Sequence, residues 1–344
     1  MHRTGGPSVF KYEEVPLPKP RRGEMLIEVH AAGVNPVDTK IRQGKFPVFR
    51  AVLPATLGRD VAGVVRSVVG KPRKGHRARF KVGDPVFGML DYNRGGYAEY
   101  TVASPRELAH RPTKVSERDA AGIGVAALTA WQGLFDHGRL RRGQRVLIHG
   151  GAGGVGHFAV QFAKWKGATV IATASKRDLA WVKKIGADEV IDFENQRFEE
   201  HTNDVDLVLD LIGGEILERS WDVLKPKGGV IVSTLEDPSK AEARRHRARA
   251  LRMMVVSKPP QLAKIAALIA AGRVQVEIAK IFPLRKAGAA HDFLEHAHAR
   301  GKVMLDTGVP WTDLGARGVA DARSAGERLE VLAGGNLPVI APFF

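Results

Sequence analysis

Polar and apolar positions alternate in short runs through the first hundred residues. Met25-Leu-Ile-Glu-Val-His30 predicts a strand, and Val61-Ala-Gly-Val-Val-Arg-Ser-Val-Val69 predicts another, with its glycine at a bend or close approach. Lys81-Val-Gly-Asp-Pro-Val-Phe-Gly88 sets a Gly-Asp turn before a short strand. Gly95-Gly-Tyr-Ala-Glu-Tyr-Thr-Val102 predicts a further strand entered through glycines. Short strands separated by turn residues predict a barrel-like domain.

From Ser116 the period changes. Ser116-Glu-Arg-Asp119 is a capping box that opens an Ala-rich helix. A strand at Arg145–His149 is followed by a helix at His157–Lys166, whose apolar side is Phe158, Ala159, Phe162, Ala163 and Trp165. Strands then fall at Ala168–Thr173, Glu189–Asp192, Val205–Asp210 and Gly229–Ser233, with a helix at Asp178–Ile185. Strands alternating with helices at this spacing predict a doubly wound parallel sheet, the Rossmann type of α/β fold.

Beyond it lie a helix at Gln261–Ala271 with Leu262, Ile265, Ala266 and Ile269 on one face, and an alternating strand at Val274–Ile278. A helix at Ala287–Ala299 and a strand at Lys302–Leu305 follow. Elements after Arg273 are expected to return to the first domain. The predicted organisation is thus a β-rich first part at 1–116, a dinucleotide-type domain at 117–273, a return segment at 274–305 and a C-terminal extension at 306–344. A weak helix is expected in that extension near Gly318–Ala333.

Composition narrows the chemistry. The 344 residues contain no cysteine, which removes disulfides, thiol nucleophiles and cysteine-liganded zinc or iron–sulfur sites. No apolar run is long enough for a membrane span, and Met1–Lys11 lacks a signal core, so a cytoplasmic protein is expected. The net charge of +16 is partly concentrated in two clusters, Lys71–Lys81 and Arg244–Arg252. Neither is interleaved with aromatics as a single-strand nucleic-acid groove would be, so solvated faces are the favoured reading and nucleic acid is not an expected partner.

Gly151-Ala-Gly-Gly-Val-Gly156 fits G-x-G-x-x-G through Gly151, Gly153 and Gly156. It follows a predicted strand and opens a predicted helix, the context in which glycines let the backbone approach a pyrophosphate at a helix N-terminus. About 20 residues on, where an acid would grip the ribose of NAD, the chain has Ala174-Ser-Lys-Arg177. Ser175, Lys176 and Arg177 offer a hydroxyl and two cations to a 2′-phosphate, so NADPH is the expected cofactor. Ser175 with Asp178 is equally a helix cap, and both roles can hold together.

Ala32-Gly-Val-Asn-Pro-Val-Asp38, Leu57-Gly-Arg-Asp-Val-Ala-Gly63, Phe80-Lys-Val-Gly-Asp84, Gly96-Tyr-Ala-Glu-Tyr100 and Ala127-Leu-Thr-Ala-Trp131 occur in order. After the glycine loop come Ile185-Gly-Ala-Asp-Glu-Val-Ile-Asp192, Gly213-Gly, Leu224-Lys-Pro-Lys-Gly-Gly229 and His298-Ala-Arg-Gly-Lys302. Over about Gly5–Leu305 the chain resembles the zinc-free quinone oxidoreductase branch of the medium-chain dehydrogenase/reductase superfamily. That resemblance implies a GroES-like catalytic domain split around a Rossmann domain, with the cleft between them, NADPH and usually a homodimer.

By position, the resemblance places Asn35 near nicotinamide and substrate, Thr129 beside the cofactor as a second catalytic candidate, and Gly153, Gly154 and Val155 in the phosphate loop. It assigns Ser175 and Lys176 to the 2′-phosphate, Phe193 to the adenosine end, and Lys302 to the family lysine before the last strand. Zinc-dependent relatives carry a cysteine where this chain has Asn35, so no metal is expected. Family members begin with a strand ahead of the Gly5-Gly-Pro7 region, where only Met1-His-Arg-Thr4 stands here. Some related reductases have tyrosines in the loop after the asparagine; this chain has Lys40 and Phe46, and Phe46 cannot donate a proton. The implied reaction is hydride transfer to a quinone or related activated carbonyl. The alternatives are an alkenal/enone reductase and, from another class, an NADPH- or RNA-binding protein with little turnover.

Overall fold

The structure, a computed structural model, describes residues 1–70 and 79–309. The tail beyond 309 and most of the Lys71–Lys81 cluster lie outside the described residues. Two sheets account for the strands. The first is built from β1 (Met25–Val34), β2 (Asp60–Val68), β3 (Pro85–Met89), β4 (Tyr100–Ala103), β5 (Leu108–His110), β12 (Ile278–Pro283) and β13 (Lys302–Asp306). The second runs β11 (Arg249–Arg252), β10 (Val230–Ser233), β9 (Leu207–Asp210), β6 (Arg145–Ile148), β7 (Thr169–Ala174), β8 (Glu189–Asp192), all parallel. Read from β6 outward, this is the doubly wound order, with the switch point between β6 and β9.

The helices are α1 (Pro36–Arg42), α2 (Glu117–Trp131), α3 (Gly156–Lys166), α4 (Leu179–Lys184), α5 (Glu215–Arg219), α6 (Lys240–Arg245), α7 (Pro259–Ala270) and α8 (Ala287–His296). Strand β1 is the spine of the first sheet and is buried along its whole length. One of its edges pairs with β2, and the other is shared between β4 at residues 25–28 and β13 at residues 31–34. The last strand of the fold is thereby laid beside the first. Helix α2 packs against β1, β2 and β3 on one side and α3 and α7 on the other, joining the two sheets. Its Ala- and Gly-rich sequence permits this: a Cβ at Gly124 would lie 2.1 Å from Asp60 Oδ1.

Several boundaries differ from the sequence pattern, each for a visible reason. Gly95–Glu99 is not strand; a Cβ on Gly95 or Gly96 would strike the Thr56 carbonyl or Val61, so these glycines serve close packing. Val274–Glu277 alternates but forms no strand. Its backbone is satisfied from α3 instead: Gln161 donates to the Gln275 carbonyl at 3.0 Å and accepts its N–H at 2.7 Å. Strand β12 starts only at Ile278. Phe158, Ala159, Phe162 and Ala163 of α3 are buried as expected, but Trp165 is 40% exposed, with the Lys264 ammonium 5.9 Å from its ring.

Candidate active site

The turn after β6 is shaped by its glycines. A Cβ on Gly156 would lie 2.0 Å from the Gly150 carbonyl oxygen, and one on Gly151 would lie 2.9 Å from Ala172 Cβ. Those two positions must be glycine for the chain itself to pack. Gly153 differs: its nearest neighbour would be 3.4 Å away, and its φ is not left-handed. The protein leaves room there, above the N-terminus of α3, which no side chain caps. A backbone turn with open space at its tip, at the start of an eleven-residue helix, fits a dinucleotide's pyrophosphate. Gly154 and Val155 complete the turn. Burial, with the Lys302 charge nearby, pushes the His157 imidazole down to about 4, so this first-turn side chain is neutral.

At the end of β7 the expected hydroxyl and cations are present, but with an acid beneath them. Ser175 donates its hydroxyl hydrogen to Asp178 Oδ2 at 2.9 Å. Asp178 is buried and also faces Arg177 at 3.4 Å and Arg300 at 3.8 Å. The expected cap is not formed: the Ser175 proton is held by the Asp178 carboxylate and its side chain bonds no helix N–H, while Lys176 and Arg177 are both exposed at this edge. Arg177 also donates to the His298 carbonyl. Arg300 lies 5.0 Å over the Trp181 ring and adds a third cation that sequence reasoning missed. Phe193 donates its N–H to the Ala174 carbonyl at 3.2 Å and is 54% exposed, beside the same edge.

The centre of the site is a buried polar cluster around Asn35, the residue before α1. Its Nδ2 donates to Asp60 Oδ2 at 2.9 Å, and its Oδ1 accepts from the Lys302 ammonium. Lys302 lies 3.4 Å from Asp60 Oδ2, and its stem reaches the phosphate turn, since a Cβ on Gly154 would sit 3.5 Å from Lys302 Cδ. Gly301 donates its N–H to the Ala152 carbonyl at 2.9 Å. Strand β13 thus ties the cofactor turn to Asn35. Asp60 Oδ1 accepts the Val125 N–H at 2.6 Å, and Thr129 donates to the Val125 carbonyl at 2.6 Å. The Thr129 hydroxyl keeps only acceptor capacity, and Asn35 Nδ2 spends one of its two hydrogens on Asp60.

A second buried chain touches this one. Asp38 Oδ2 accepts the Asn35 N–H at 2.9 Å and the Tyr97 hydroxyl at 3.1 Å, and that hydroxyl lies 3.2 Å from His291 Nε2. Burial and the negative Asp60 raise Asp38 to about 7 against the pull of the Asn35 N–H, Arg59 and Tyr97. Burial, with Arg42 nearby, lowers His291 to about 3. Asp38, Asp60 and Arg59 stand inside quoted motifs, but nothing in the pattern gave them roles. An adjacent Arg-Asp pair flanked by glycines in an apolar strand was the available signal.

The donor set does not suit zinc. Where zinc chemistry needs thiolate, imidazole or carboxylate ligands, Asn35 presents an amide and Lys302 an ammonium, and Asp60 is spent on both and on a backbone N–H. Among the described residues no group of three or more His, Cys, Asp or Glu could hold a metal ion.

A split β domain joined to a doubly wound sheet with an open glycine turn defines a dinucleotide-dependent oxidoreductase architecture. Two families match: alcohol dehydrogenase GroES-like domain over residues 21–113, and zinc-binding dehydrogenase over residues 185–305. The mouse quinone oxidoreductase is 33% identical over 320 residues, spanning 88% of this chain and 95% of the relative. The chloroplastic NADPH-dependent alkenal/one oxidoreductase of Arabidopsis thaliana is 34% identical over 315 residues, 88% of this chain and 77% of that protein. The crystal structure of Escherichia coli quinone oxidoreductase complexed with NADPH superposes with a TM-score of 0.79 at 28% identity, covering 89% of this chain and 98% of that one. The chain belongs to the quinone oxidoreductase branch of the medium-chain dehydrogenase/reductase superfamily.

Proposed function

We propose that the protein is an NADPH-dependent reductase that delivers hydride to a quinone without a metal ion. The observation that carries this is Lys302, whose stem lies against the phosphate turn while its ammonium fills the place beside Asn35 and Asp60. The cofactor supplies the hydride. The chain's own residues hold and orient: the turn at Gly151–Gly156 receives the pyrophosphate, and Lys176 and Arg177 stand where a 2′-phosphate would end. Asn35, locked by Asp60 and Lys302, presents one N–H at fixed orientation, and Thr129 offers an acceptor. Positioning of this kind is a large part of the rate when the reaction is hydride transfer to an electrophile that needs little activation. Residues 1–116 and 274–305 form the catalytic part in this reading, and 117–273 the cofactor part.

An enone acceptor is the second reading. It is favoured by Tyr92, which the 90–97 loop brings to 5.2 Å from Phe46, ring centre to ring centre. A phenol thus stands near the loop whose sequence lacks one. Initial rates of NADPH oxidation over a panel of quinones and matched enones test the choice. Quinones should show the higher kcat/KM; enones turning over tenfold faster would reverse it.

The outer edge of β11, with Met254 and Val256 exposed just beyond it, is the proposed contact of a homodimer. Among the described residues no helix is long and apolar enough to cross a membrane.

A further inference from the structure

Arg59 is a buried cation that the reading above leaves without a task. It immediately precedes β2 and is 5% exposed. Its Nε donates to the Leu90 carbonyl at 3.0 Å, and its guanidinium carbon lies 3.8 Å from the centre of the Tyr92 ring. Tyr92 in turn stacks on Phe49 at 5.6 Å. These contacts fix the guanidinium plane, yet Nη1 is buried with no hydrogen-bond partner. Native interiors pair such donors, and a guanidinium has only donors, so what is missing is an oxygen acceptor.

The surroundings define that acceptor further. Arg59 is the neighbour of Asp60, which holds the Asn35 side chain, and its charge reaches Asp38, which holds the Asn35 backbone. Its guanidinium lies over Tyr92, whose ring also meets Phe46 at 5.2 Å and Phe49 at 5.6 Å. A fixed cation edged by flat rings suits a flat conjugated carbonyl compound, whose faces meet the rings and whose oxygen takes the N–H.

We propose that Arg59 Nη1 donates to the carbonyl oxygen of the acceptor and stabilises the negative charge that develops on it. The proposal rests on the reading of the acceptor as a quinone or enone. In that step hydride, a proton with two electrons, leaves the nicotinamide ring, which is oxidised, and bonds to the acceptor, which is reduced. The displaced π pair moves onto the carbonyl oxygen facing Arg59, and one proton from solvent completes the neutral product. A donor fixed before the reaction stabilises such charge without reorganising.

The test compares wild type with R59M and R59K. At saturating NADPH, R59M should lose about 100-fold or more in kcat/KM for the quinone, with NADPH affinity by fluorescence unchanged, as for other oxyanion donors. R59K should lose less, because a cation remains but the fork does not. A second readout needs no turnover: p-nitrophenol titrated by absorbance in the presence of protein. Bound beside Arg59 it should ionise at lower pH than free in wild type and not in R59M. Turnover within threefold of wild type in R59M, or no shift of the phenol in wild type, overturns the proposal. If R59M does not fold, R59K decides by the same readouts, and its matching wild type in both overturns the proposal. If wild type reduces no quinone or enone, the acceptor reading fails and the phenol titration alone judges Arg59.

Discussion

Lys302 of β13 and Asp60 of β2 lie 3.4 Å apart with 2% and 0% of their side chains exposed. They are 242 positions apart, with every strand of the parallel sheet between them in the chain. Breaking a buried pair by removing one partner leaves the other charge without compensation, at a cost of roughly 3–5 kcal/mol. Lys302→Met should therefore lower the urea midpoint markedly. The double variant Lys302→Met with Asp60→Asn should recover much of the loss. A single variant as stable as wild type would show that the pair does not hold β13 in place.

The glycines of the phosphate turn should separate into two kinds. Gly153→Val has room within the chain, so it should keep near-wild-type circular dichroism while losing NADPH binding by calorimetry. Gly156→Ala places a Cβ against the Gly150 carbonyl and should lower thermal stability. Unchanged NADPH affinity in Gly153→Val would mean that the turn is only structural.

In the proposed reading, cofactor choice rests on Lys176 and Arg177, since the Ser175 proton is held by Asp178. Replacing both cations with Ala should raise the KM for NADPH about tenfold or more, a loss near 1.4 kcal/mol. NADH kinetics should barely change, because NADH carries no phosphate at that position. Equal weakening of both cofactors would place these cations at the pyrophosphate or in the fold.

A pH dependence of stability follows from His30. It lies between Glu117 at 2.8 Å and Glu28 at 3.0 Å. Burial alone would lower it, but the two carboxylates raise it from 6.5 to about 9. Burial alone would raise Glu28, but His30, Arg66 and Tyr100 hold it down from 4.5 to about 2. The His30 contribution is complete below 6.5 and is lost as pH rises toward 9; that of Glu28 is present above 4.5 and is lost on acidification toward 2. The stability difference between wild type and His30→Gln should thus be greatest between about pH 4.5 and 6.5 and shrink at higher pH. A difference that grows above pH 7 contradicts this.

The Rossmann sheet was legible because its strands are short apolar runs punctuated by glycine turns, and β8 fell at Glu189–Asp192 as expected. The first sheet was less so. Leu108–His110 is only three residues long, and Val274–Glu277 has a strand's alternation but bonds to side chains of α3. Asn35 and Lys302 were expected near the cofactor, but their mutual contact spans 267 positions and no local pattern encodes it. For the same reason Asp60 was passed over: its function arises from what Gly33 and Gly124 let it approach. Within the Arg244–Arg252 cluster, Arg245 pairs with Glu242 one helical turn away, and Arg249 donates to the His137 carbonyl, 112 positions away.

In the proposed function the Asn35–Asp60–Lys302 centre supports NADPH-driven reduction with no metal. The direct measurement is NADPH oxidation with a quinone by protein washed with chelator, with zinc determined on the same sample. Turnover should be undiminished at far less than one zinc per chain, with no stimulation on adding zinc. Turnover that disappears with the chelator and returns with stoichiometric zinc would contradict it.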